Sequence, residues 1–257
     1  MKVKDAINVI EEKFPLDLQL DFDNSGLKCG NICSNLTGVL VTLDTNIETI
    51  KEAVSKNCNL IVEHHPTIFK PLYDLDFNSP KTNILFNCIE NNICLYSAHT
   101  NVDVGKDGLN DYFLEQILCQ NKEHINNESV KNYRVGLLKN KMTLLEYVNK
   151  LETVFNEKLL FVGDPNKIIK TVACSNGAGG NDDNVFLTSS VADVFVSSEF
   201  KHSALMLAKN LNYAIIQISH FASEIGFLDL IFKLFTKKIK SDMVSKSTSN
   251  INPMRGL

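Results

Sequence analysis

Two adjacent histidines close the apolar run LIVEHHPTIF (residues 60–69), and a proline follows them. Strand side chains alternate between faces, so His64 and His65 cannot point the same way inside a strand. They converge only where the strand has ended and the chain turns. Pro66 keeps His65 out of the helical region there, and its ring suits the first position of a following helix. Two further pairs share one spacing: His99 and Asp103 in HTNVD, and His220 and Glu224 in HFASE, each four apart; a helical turn would put the second pair on one face. His202 follows Glu199 in SSEFKH, and only His124 of the six histidines lies away from a strand end. A lone histidine at a strand end reads as a satisfied structural or surface residue. The double imidazole with two His/carboxylate pairs at matching places is hard to assign to packing. Neutral imidazoles with carboxylates suit first-row divalent ions such as zinc, iron or manganese. Three histidines with two carboxylates exceed what one open site needs; they fit two metals about 3.5–4 Å apart that share a carboxylate and a water.

Such groups meet only if the fold brings strand ends to one edge, and the order of elements implies that it does. VTLD ends a first buried strand, NIETIKEAVSKN is an amphipathic helix, and LIVEHHP closes a second strand. TNILFNCIENN and ICLYSAHTNVD continue as helix and strand, and GLNDYFLEQIL as helix. The polar stretch 121–134 is the expected boundary, dividing a first α/β repeat (1–125) from a second (126–257). After the helix TLLEYVNKLETVF, strands IIKTVACS, ADVFVSSE and YAIIQISH alternate with helices, and the polar tail from Ser241 is left without structure. In form ADVFVSSEFKHS matches CNLIVEHHPTIF and YAIIQISHFASE matches ICLYSAHTNVD, as in a degenerate duplication. Alternating strands and helices argue for a largely parallel α/β sheet, whose strand C-termini share one edge.

Composition narrows the partners. With 257 residues, 44% hydrophobic, 22% charged and a net charge of −4, the chain has an ordinary globular balance and no basic surface for nucleic acid. No apolar run approaches a bilayer span, and the N-terminal stretch lacks a signal peptide's apolar core, so a cytoplasmic, unprocessed protein is expected. Seven scattered cysteines without C-x-x-C read as reduced and mostly buried; the spacing of Cys29 and Cys33 completes no zinc set. SNGAGG (175–180) is neither nucleotide-binding glycine motif, but it suits a tight turn near the metal edge or a phosphate nest.

Taken in order, DFDNSGLKCG, VEHHPTIF, YSAHTNVDV, CSNGAGG, SSEFKHS and ISHFASE resemble the motifs of the Nif-three-like dinuclear metal proteins, a family also named GTP cyclohydrolase I type 2. The resemblance implies metal ligands at His64, His65, Asp103, His220 and Glu224, the residues already chosen. It further implies two intertwined α/β repeats with mixed, largely parallel sheets and flanking helices, two divalent ions per chain, and a toroidal homohexamer. This chain departs from the family pattern at Phe22 (usually Trp), Glu199 (usually Asp) and Ser219 (usually Gly). The activity implied is hydrolytic attack of a metal-activated water on C8 of a purine nucleotide such as GTP. His99 is then expected to act as general acid/base or as a partner behind the ligands, and His202, oriented by Glu199, as a second proton carrier or a substrate contact, with Lys201 and the NGAGG backbone as contacts for triphosphate. The alternative is a metal-binding or metal-handling oligomer without cyclohydrolase activity; a protein-interaction scaffold has no motif to support it.

Overall fold

The computed structural model describes residues 1–118 and 132–254. Cys119, His124 and the expected boundary between 125 and 126 lie outside the described residues. The helices are α1 (Val3–Lys13), α2 (Ile47–Ser55), α3 (Pro80–Glu90), α4 (Thr100–Val104), α5 (Leu109–Ile117), α6 (Leu144–Phe155), α7 (Asp182–Ser189), α8 (His202–Asn210), α9 (His220–Glu224) and α10 (Gly226–Thr236). The strands are β1 (Gly26–Cys29), β2 (Val39–Thr42), β3 (Leu60–Glu63), β4 (Cys94–Ser97), β5 (Arg134–Thr143), β6 (Leu160–Val162), β7 (Ile168–Cys174), β8 (Val194–Ser197), β9 (Ala214–Gln217) and β10 (Val244–Lys246). The chain divides into two compact units, each discontinuous in sequence: Met1–Gly105 with Phe227–Ile251, and Lys106–Gly226 with the stretch from Asn252.

The first unit carries the sheet β1-β4-β3-β2-β10. Strands β2, β3, β4 and β10 run parallel, and β1 is antiparallel to β4. All residues of β2, β3 and β4 are buried, as strands covered on both faces require. Leu40, Ile61 and Leu95 pack on one face against Ile50 and Ala53 of α2 and Leu85 and Cys88 of α3. The second unit carries the sheet β5-β7-β8-β9-β6, with β7, β8 and β9 parallel and both edge strands antiparallel. Alternation there is strict. Val172, Cys174, Val194, Val196, Ala214 and Ile216 meet α5 and α6, while Ala173, Phe195 and Ile215 meet α7 and α8. Asparagines stop four helices: Asn57, Asn92, Asn156 and Asn212 all have φ between 50° and 56° at or just past the ends of α2, α3, α6 and α8. Asparagine enters this left-handed region more readily than other non-glycine residues, and its use lets the chain turn back into the next strand.

The three antiparallel edge strands, α4 and α7 were not legible as elements. Two expectations are overturned. Pro66 starts no helix; a loop follows it, and the next helix begins at Pro80. The tail beyond Ser241 is structured, because β10 adds to β2 in parallel, with Val244 opposite Val39. Its polar residues find partners: the Ser247 hydroxyl and Thr248 amide donate to Glu52 on α2 at 2.7 and 3.0 Å. The Asn250 side-chain oxygen accepts from the Leu43 amide at 2.7 Å. Among the described residues no helix is long and apolar enough to cross a membrane.

Candidate functional site

In the first unit the groups collect where parallel strands end. The amide of His64 donates to the Thr42 and Leu43 carbonyls and that of His65 to Leu43, so the double histidine leaves β3 against the end of β2. Glu63 braces this turn: it is fully buried and accepts from Ser97 Oγ (2.6 Å), the Thr67 amide (2.8 Å) and Thr67 Oγ1 (2.7 Å). Burial raises its pKa, and those hydrogen bonds only partly offset the rise. His64, also buried, has Nδ1 3.0 Å from the Ala98 carbonyl. A carbonyl only accepts, so Nδ1 carries a proton, and Nε2 lies 3.6 Å from Asp103 Oδ1. His65 repeats the arrangement with Nδ1 2.9 Å from Asp44 Oδ1, and His99 with Nδ1 2.7 Å from Asp23 Oδ1. Ring centroids lie 5.0 Å apart for His64–His65 and 5.2 Å for His64–His99, with Phe227 4.7 Å behind His64. Ligating atoms of His64, His99 and Asp103 lie within 4.8 Å of one another, close enough to share one ion.

Asp23, behind His99, and Asp44, behind His65, were both missed in reading the sequence; Asp23 is the more buried. Its carboxylate is fully buried, and burial alone would raise its pKa. The hydrogen bond and charge of His99, the Thr100 hydroxyl and the Asn24 amide outweigh that penalty and hold it well below the usual carboxylate range. It therefore stands as a fixed anion behind His99. Its only signal was membership of DFDNSG, with no spacing to tie it to a histidine 76 residues away.

In the second unit Ser219 caps α9, its Oγ accepting from the Ala222 amide at 3.1 Å. The four-residue spacing then places His220 Nε2 2.9 Å from Glu224 Oε2, while His220 Nδ1 lies 2.6 Å from Glu199 Oε1. One imidazole between two carboxylates needs either a second ring proton or a cation beside Nε2. Gly177 of the NGAGG turn has φ +57°, and a Cβ there would lie 2.1 Å from Glu224 Oε1. The glycine is required both for backbone conformation and for close approach to Glu224. Glu199 also has positive φ (+55°), a region that shorter Asp and Asn tolerate better. The expected orientation of His202 by Glu199 is not what is observed: Glu199 bonds His220, and His202 is exposed at the first position of α8.

Internal registers refine the duplication. Glu63 pairs with Ser97 and Ser197 with Gln217, so His64 and His65 correspond to Ser198 and Glu199. The same register aligns the two helix caps, His99 and Ser219. Asp103 therefore corresponds to Ser223, and the two four-residue pairs are offset by one position, about a quarter turn of helix.

The family model of Duf34/NIF3 (NGG1p interacting factor 3) matches residues 1–253. A Clostridium perfringens protein named GTP cyclohydrolase 1 type 2 homolog is 34% identical over 249 residues, covering 95% of this chain and 94% of that one. A Clostridium acetobutylicum protein of the same name is also 34% identical, over 87% of this chain and 85% of its own. Among solved structures, a hypothetical protein of Staphylococcus aureus superposes with a TM-score of 0.87 at 27% identity, covering 100% of this chain and 99% of that one. Reduced HcgD from Methanocaldococcus jannaschii gives 0.81 at 26% identity, over 97% and 98% of the two chains. The chain belongs to the Duf34/NIF3 family.

Proposed function

We propose that this protein is a metal-dependent hydrolase of purine nucleotides, with GTP as reference substrate, in which His64, His65, Asp103, His220 and Glu224 hold two divalent ions (zinc, iron or manganese). The observation that carries the reading is the oxygen acceptor that each imidazole meets at Nδ1. Nδ1 of His64, His65 and His220 meets the Ala98 carbonyl, Asp44 and Glu199 respectively, which aims each Nε2 for coordination. An oxygen acceptor behind a ligating histidine fixes its tautomer and raises its basicity. The names carried by the relatives support GTP as the substrate to test.

Bound metal would supply the acidity that makes water a nucleophile near neutral pH. The chain's own residues then manage protons. His99, held at Nδ1 by the anionic Asp23, offers Nε2 to take a proton from the attacking water and return it to the departing ring nitrogen. Addition of water at C8 opens the five-membered ring, and a second water releases C8 as formate. His202, exposed on α8, is left the role of a substrate contact. Assembly as a toroidal homohexamer belongs to the same reading.

Formate release from GTP by metal-replete protein, beside His99→Ala with its metal content measured, tests the proposal. Release by the wild type, lost in the variant at equal metal content, is expected. Absence of release with zinc, iron and manganese alike, at two bound ions per chain, would overturn the GTP reading and leave metal handling.

A further inference from the structure

We infer that Phe22 and Phe69 form an aromatic wall beside His99 that stacks on the planar ring of the substrate, a heteroaromatic base; this rests on the hydrolase reading for the identity of the site. Single exposed phenylalanines need no explanation. These two touch, with ring centroids 6.3 Å apart and planes tilted by 55°. Phe69 in turn meets the His99 ring edge-on, at 6.1 Å and 81°. Phe22 remains 65% exposed and Phe69 36% exposed, so ring faces are left in solvent next to the proposed proton carrier.

The backbone that carries both rings is pinned to the site. Phe22 precedes Asp23, whose carboxylate binds His99 Nδ1 and accepts from the Thr100 amide at 3.0 Å. Asn24 then donates its side-chain amide to the Ile68 carbonyl at 2.5 Å, one residue before Phe69. On the other side Thr67 is tied to the buried Glu63 through its amide and hydroxyl. Residues so anchored keep their rings in place while the outward faces stay open. Such faces carry no hydrogen-bonding group and no charge, so a flat base can stack on them, whereas a phosphate chain would gain little from them.

The chain has no tryptophan, so Phe22→Trp introduces a single indole reporter at the wall. Titration with guanosine, GTP and inorganic tripolyphosphate should quench its fluorescence saturably with the first two and not with the third. Phe22→Ala and Phe69→Ala should each raise the KM for GTP about tenfold at wild-type metal content, the scale of one lost base–aromatic stack. Both rings are at least partly exposed, so folding of the variants is checked by circular dichroism and thermal melting. Quenching by purines without formate release would keep the wall and discard the hydrolase reading. Formate release with unchanged KM in both alanine variants and no quenching would discard the wall alone. Quenching that follows protein concentration without nucleotide would assign these rings to contact with a second copy of the chain and overturn the inference.

Discussion

Asp23 and His99 show how a residue far away in sequence sets the chemistry of a site. The carboxylate is inside the protein, yet it stays ionised because His99, Thr100 and Asn24 all donate to it. Asp23→Asn keeps the shape and removes the anion. Formate release should then fall about 10–100-fold with bound metal near the wild-type level, since Asp23 touches His99 and none of the five proposed ligands. Loss of metal in that variant would mean that His99 is itself a ligand, which its 4.8 Å grouping with His64 and Asp103 also permits. Gly177 is the second sensitive residue. Gly177→Ala puts a Cβ 2.1 Å from Glu224 Oε1 on a backbone at φ +57°. The expected cost is about 1–3 kcal/mol, read as a lowered Tm, with weaker metal retention as Glu224 is pushed aside.

At the level of elements, β10 pairs with β2, and the segment just past it is tied down by one carboxylate. Glu52 on α2 accepts from Ser247, Thr248, Ser249 and Lys56. Burial alone would raise its pKa, and these donors lower it instead, from 4.5 to about 2. A carboxylate with a depressed folded pKa contributes stability that is complete above its unfolded pKa and is lost as pH falls through the folded one. The wild type should therefore lose stability relative to Glu52→Gln as pH drops from about 4.5 toward 2. At neutral pH, Glu52→Ala should cost about 2–3 kcal/mol by leaving these donors without their acceptor. Equal pH profiles for wild type and Glu52→Gln in urea denaturation would show that the tail is held by the β2 pairing alone.

For the molecule as a whole, ions that bind only the folded chain must stabilise it. Chelation of metal-loaded protein should lower Tm and metal return restore it, by the equivalent of about 2.7 kcal/mol when free metal is a hundredfold above its dissociation constant. An unchanged Tm in differential scanning calorimetry would count against the ligand set. If six chains of 28.8 kDa assemble, sedimentation equilibrium should find a particle of about 170 kDa.

The parallel strands, the helices that cross between them and the histidines at their ends could be read from the chain alone. Each is a local matter of apolar runs, helical periods and residues that stop strands, as in LIVEHHP and YAIIQISH. Four-residue spacing likewise announced that His220 would meet Glu224. Tertiary structure decided the rest, because those contacts have no sequence spacing to betray them. Asp23 reaches His99 across 76 residues, and Glu52 reaches the tail across nearly 200. Glu199, left-handed just after β8, bonds His220 across 21 residues and not its neighbour His202. Edge strands such as β1 and β10 carry weak patterns of their own and become strands only when a buried partner offers its free backbone groups.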